Sequence, residues 1–252
     1  MFRNQQAVTL GILSAAFSAA TWGATLAPGE YARGGWGTLS IQALHHGVQA
    51  FEIRTQGANF HSCHVRGVIK NLKAVVSVDE SQGEATAPCT ITFVRQSETS
   101  ILLDSPALDA SCSSFCGNRA DFLQETYTRV PTGCTVAEIV RARKRFDATR
   151  ANGDHEQAYA LFKPAFERCQ SVINLFLRSK YRVALADLER QAGKLPACAQ
   201  TLAPVLKDFP GSNEDLERQL APGEFWEMRP VVEQARELAA ACGKAEVQAV
   251  SP

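Results

Sequence analysis

The chain has 252 residues, with 26 Lys and Arg set against 26 Asp and Glu. That balance generates no field to draw in nucleic acid or an anionic membrane surface, and the length is enough to bury a core without help from a ligand.

Taken from the N-terminus, MFRNQQ carries one arginine and no acid, and the uncharged apolar run AVTLGILSAAFSAA follows. This is the layout of a signal peptide over 1–20. The run falls short of the ~20 residues a membrane span needs. Cleavage is predicted after Ser18-Ala19-Ala20, with Ala24 as the second candidate. No comparable apolar stretch follows, so the mature protein is expected in the periplasm or secreted, with no membrane span after signal removal.

From Thr38 the sequence alternates: TLSIQAL puts Leu39, Ile41 and Ala43 on one side, and AFEIRT repeats the scheme with Phe51 and Ile53. CHVRGVI, KAVVSV, CTITFV, SILLD and a last run near DFLQETY follow, divided by the turn-formers QGAN, KN and SQGEA. A period of two between turn signals predicts antiparallel strands with one buried face. Seven such strands make a small β-sandwich or barrel over 28–130. GGWG at 34–37 reads as the turn into the first of them.

After Pro131 the period becomes helical. Val136, Ile139, Val140 and Phe146 share one stripe, which stops at Asn152-Gly153, and Asp154 is placed to cap the next helix. Helix two carries Ala158, Phe162, Ala165 and Cys169; helix three Leu177, Tyr181, Ala184 and Leu188, ending at Gly193; helix four Cys198, Leu202, Val205 and Phe209. A last helix spans roughly Pro230 to Cys242. Positions 158, 162, 165 and 169 map onto 198, 202, 205 and 209, and Pro164 onto Pro204, so the helices group as two pairs with the last as a lid. The recurring proline predicts a shared kink or a helix start. The arrangement resembles tetratricopeptide (TPR-like) hairpins, at a period longer than that family's thirty-four or so residues. The expected fold class is thus α+β in two domains: an antiparallel β domain at 28–130, a TPR-like α-helical domain at 132–245 and a flexible tail at 246–252.

All eight cysteines lie beyond the signal peptide. They are even in number and bound for an oxidising compartment, so disulfides are the default. Cys134 opens helix one and Cys169 closes helix two; Cys198 opens helix four and Cys242 closes the last. Neighbouring antiparallel helices would bring both pairs within bonding distance, which predicts 134–169 and 198–242. Cys63, Cys89, Cys112 and Cys116 allow three pairings. We favour 63–89 and 112–116, because CSSFC can close on itself while Cys63 and Cys89 each begin a strand; a bond between 89 and 112 would overturn this. The CSSFCG stretch lacks the C-x-x-C spacing of a redox centre and the second ligand pair of a zinc site, and so reads as a staple, with Gly117 present for backbone freedom.

Other candidate chemistry is sparse. In a strand His61 and Cys63 point one way and His64 the other, so no one metal catches all three. His45-His46 diverge or lie in a turn, and His155 beside Glu156 opens a helix in solvent. Arg141, Arg143, Lys144 and Arg145 read as a solvated helix face. Glu214, Asp215, Glu217, Glu224 and Glu227 read as a polar connector. Either charged cluster could instead face a partner. Nucleophile elbow, zincin, phosphate-loop and dinucleotide motifs are absent, so the expectation is a protein that is not an enzyme, with no catalytic or metal residues and no cofactor.

The runs FHSCHVRG, CTITF, SILLD and CSSFCGNRADF resemble a β module of Gram-negative envelope proteins, over roughly 29–128. That module is similar to the C-terminal module of periplasmic proteins like the lysozyme inhibitor LprI. Its most specific piece here is Cys112, Cys116, Gly117, Arg119, Ala120 and Phe122. The domain that gives that family its name is missing, and the helical half stands in its place. The resemblance implies a protein partner in the periplasm, such as a peptidoglycan-cleaving enzyme of lysozyme type. The alternative is a structural or assembly scaffold of the cell envelope.

Overall fold

The computed structural model describes residues 25–77, 88–105 and 110–248. The expected signal peptide and its cleavage sites fall outside them. The strands are β1 (Gly29–Ala32), β2 (Gly37–Ala43), β3 (Gln49–Gln56), β4 (Ser62–Ile69), β5 (Lys73–Val76), β6 (Cys89–Arg95), β7 (Ser100–Asp104) and β8 (Glu125–Arg129). Every alternation expected from sequence becomes a strand, and β1 is added before them. GGWG is therefore a turn between two strands. β1 escaped notice because it has four residues, of which Tyr31 and Ala32 are the buried ones.

The eight strands form one antiparallel sheet in the order β4-β3-β2-β1-β8-β7-β6-β5. This is an up-and-down meander in which β1 pairs with β8, leaving the seam between β4 and β5. These two touch through the Lys70–Lys73 bridge at their turn. Of the two expected architectures the sheet is near a barrel, because all inward side chains share one core: Leu39, Ile41, Phe51, Ile53, Val65, Ile91, Phe93, Leu103 and Tyr127 belong to a single cluster. Phe51 and Phe93 meet edge to face at 5.2 Å from β3 to β6. Gly67 replaces an inward side chain on β4, and a Cβ there would lie 3.0 Å from the Phe51 ring. Leu26 enters the same core, held by Gln49, which donates to its carbonyl and accepts from its amide, both at 2.8 Å.

Two disulfides organise the seam end. Cys63 bonds Cys116 and Cys89 bonds Cys112, which corrects the expected 63–89 and 112–116. Cys63 and Cys89 open β4 and β6, with β5 between them, and two strand spacings of about 4.8 Å exceed the ~7 Å reach of a disulfide. The CSSFC turn, entered by a short helix α1 (Ala110–Ser113), bridges both. It also covers part of the open edge of β4: the His64 amide donates to the Phe115 carbonyl at 3.2 Å and the Gly117 amide to the Ser62 carbonyl at 2.9 Å. An unpaired edge is thereby shortened.

The helical half comprises α2 (Val136–Ala151), α3 (His155–Cys169), α4 (Leu175–Gln191), α5 (Leu195–Asp208), α6 (Asn213–Gln219) and α7 (Pro222–Gln248). Capping explains the boundaries. Thr135 and Glu138 form a capping box on α2, Asp154 caps α3 as expected, and Asn174 caps α4. The bonds 134–169 and 198–242 occur as expected. Pro164 and Pro204 lie inside α3 and α5, so neither helix begins there. α6 was not anticipated. α7 starts eight residues before the expected Pro230 and continues to Gln248, into the stretch expected as a tail. α4 is the central helix. Tyr181, Ala184, Leu185 and Leu188 pack on α2 and α3, while Phe176, Val183 and Ala186 pack on α5 and α7.

Two contacts between the halves stand out among the described residues. Trp36, from the β1–β2 turn, stacks edge to face on Phe176 at 5.2 Å, and Gly35 lies so close to Ile173–Asn174 that a Cβ would fall 2.0 Å from the Asn174 amide. Asn59, in a 3-10 turn after β3, donates its amide to Glu224 and accepts from the Gly223 amide, both at 3.0 Å.

Candidate functional site

Antiparallel packing of α3 against α4 brings the first turns of one beside the last turns of the other. Tyr159 and Lys163, one turn apart on α3, face Glu189 on α4. The Lys163 ammonium donates to the Tyr159 hydroxyl at 2.6 Å, and that hydroxyl donates to Glu189 Oε1 at 2.7 Å. Lys163 also lies 3.3 Å from the same oxygen. Glu189 is only 1 % exposed, and its Oε2 has no hydrogen-bond partner among the described residues. A cleft of about 360 Å³ opens here, lined by His155, Glu156, Tyr159, Leu188, Glu189 and Lys194 among others. Lys194, from the α4–α5 turn, sits 5.2 Å from the centre of the Tyr159 ring and Lys163 sits 5.0 Å from it, a cation–π arrangement.

The electrostatics of the group follow from its burial and its hydrogen bonds. Burial is the main cause that raises the Tyr159 phenol above its ordinary value. The hydrogen bond to Tyr159, then the contact with Glu189, raise Lys163 above its own against the opposing effect of burial. At neutral pH one stays a phenol and the other an ammonium, so neither is a free base. Asp187, two residues before Glu189, holds Arg190 at 3.0 Å, Gln191 at 2.9 Å and Arg150 of α2 at 3.5 Å. The end of α4 is thereby tied to α2 on one side and α3 on the other.

The residues singled out in sequence lie elsewhere. His61 packs beside Gly117, where a Cβ would meet its ring at 2.7 Å; the glycine is needed for close approach. His64 bonds Glu52 at 2.7 Å on the outer face of the sheet. His45 and His46 occupy the β2–β3 turn, and His155 lines the cleft. Of the basic run, Arg143 pairs with Asp147 and covers the rings of Phe146 and Tyr181. The acidic cluster is no mere connector: Glu214, Asp215 and Glu217 lie in α6, where Asp215 completes a capping box with Ser212, Glu224 is buried at the junction of the halves, and Glu227 pairs with Lys180. Tyr159, Lys163, Glu189 and Lys194 were not picked out, since nothing in a linear pattern brings Glu189 to Tyr159. No helix among the described residues is long and apolar enough to cross a membrane, and none of their His, Cys, Asp or Glu side chains gather to hold a metal. No family model, curated protein or solved structure matches the chain.

Proposed function

We propose that this is an exported, non-catalytic module that binds another protein in the periplasm, and that contact is made at the α3–α4 cleft. The observation that carries this reading is a pocket of side-chain size lined by a buried carboxylate, an aromatic ring and the Lys194 ammonium, with Lys163 bonded to that carboxylate from beside it. A preformed site of this kind binds without first ordering itself. Two carboxylates against two ammonium groups favour a polar or zwitterionic element of the partner, such as a chain terminus or a short polar side chain. The TPR-like stacking of two domains belongs to the same proposal, with the helical half as recognition element and the β half as its base.

A narrower version, inhibition of a peptidoglycan-cleaving enzyme of lysozyme type, is supported by the LprI-like pattern around Cys112–Phe122. The chain's neutral charge is no match for a strongly basic enzyme. The other reading, an envelope scaffold, shares the site and differs in the partner. Pull-down from periplasmic extract under non-reducing conditions tests the main proposal: the wild-type chain retains a partner that a Tyr159→Ala, Lys194→Glu variant releases. Equal capture by both removes the cleft from the argument. A turbidity assay against several lysozymes decides the narrower version, which fails if lysis is never slowed.

A further inference from the structure

We infer that the β half is a client of a thiol–disulfide isomerase, because its two bonds are nested while the chain favours the consecutive ones. Cys63–Cys116 encloses Cys89–Cys112 completely, with sequence separations of 53 and 23. In the unfolded chain the nearest thiol to Cys112 is Cys116, with three residues between them. Loop-closure entropy favours that contact over one across 53 positions by on the order of tens-fold. Vectorial emergence adds to the bias, since Cys63 and Cys89 reach the oxidant before Cys112 or Cys116. Both effects drive the chain to 63–89 and 112–116. The folded barrel rejects this set, because β5 separates Cys63 from Cys89 and the CSSFC turn presents Cys116 to Cys63 on β4 and Cys112 to Cys89 on β6.

The exchange is a closed cycle. An isomerase thiolate attacks Cys116 in the 112–116 bond, forming a mixed disulfide and releasing the Cys112 thiolate. Cys112 attacks Cys89 in the 63–89 bond, forming 89–112 and releasing the Cys63 thiolate. Cys63 then attacks Cys116 in the mixed disulfide, forming 63–116 and returning the isomerase thiolate. Two disulfides are broken and two made, so no net oxidant is consumed. In the helical half 134–169 and 198–242 pair the cysteines in the order in which they emerge, so vectorial oxidation leads directly to the native set. That half is the internal control.

The test oxidises the reduced, unfolded full chain with DsbA alone, or with DsbA followed by protein disulfide isomerase, then quenches with acid and maps the bonds by non-reducing peptide analysis. With DsbA alone, 134–169 and 198–242 should form while 63–89 and 112–116 predominate in the β half. Added isomerase should convert these to 63–116 and 89–112, with at least a tenfold gain in their yield. A Cys63→Ala, Cys116→Ala variant leaves one possible bond in the β half, and its formation should not respond to isomerase. Mapping does not require this variant to fold. Equal rates and yields of all four native bonds with and without isomerase overturn the inference, as does an isomerase response that persists in the variant.

Discussion

Glu189 is the residue on which the cleft turns. A carboxylate buried with one oxygen unpartnered is costly unless its other contacts compensate, and here the Tyr159 hydroxyl and Lys163 supply them. Removing the hydroxyl should therefore be felt in stability as well as in binding. Tyr159→Phe should lower the midpoint of urea unfolding by an amount equivalent to about 1–2 kcal/mol with an unchanged m value. An unchanged midpoint would mean that Lys163 alone holds the carboxylate. The same scale explains Asn59. Its φ of 55° is a conformation that Asn tolerates better than most residues, and the turn aims both its amide and its side chain at the first turn of α7.

Among the elements, the helices are set by their ends, and the capped ends carry part of the pH dependence. Glu138 in the α2 capping box is held below its ordinary 4.5 mainly by the Thr135 hydroxyl and then by the Thr135 amide. Asp215 in the α6 box is held below 3.8 by the Ser212 amide and hydroxyl. Their folded pKa values lie below the unfolded ones, so each stabilises the fold fully above the unfolded value. That contribution is lost as pH falls through the folded value. Thermal melts should hold steady down to about pH 5 and decline below it, and Glu138→Gln should flatten part of that decline. A decline identical to wild type would remove the α2 cap from the account. The strands draw their stability from alternation instead, which is why β4 can carry Gly67 without losing its place: Phe51 fills the gap.

For the whole molecule the decisive contact is the junction of the two halves. Gly35 combines a φ of +81° with a backbone neighbour that leaves no space for a methyl group, whereas Gly34 has a φ of +52° and open space around it. Gly34→Ala should cost about 1 kcal/mol for the backbone alone. Gly35→Ala should cost more than about 2 kcal/mol, because the turn must withdraw from α4. It should also shift tryptophan fluorescence to the red as Trp36 leaves Phe176. Equal effects of the two substitutions would mean that the junction yields freely.

Period and capping are local properties, and they were legible. Seven of the eight described strands, five helices and both helical disulfides follow from side-chain alternation, stripe spacing and stop signals that act within a few residues of one another. Tertiary structure decided whatever depends on closure or on burial from two sides. The seam position forced the nested cysteines, because only the curled sheet shows that the CSSFC turn lies against both β4 and β6. α4 reads in sequence as a helix with one apolar stripe, yet it is covered on both faces, and that covering is what buries Asp187 and Glu189. The physical reason is range: a linear pattern records what each residue prefers beside its neighbours, while the cleft and the nested disulfides arise between positions that only the packed chain brings within a few ångströms.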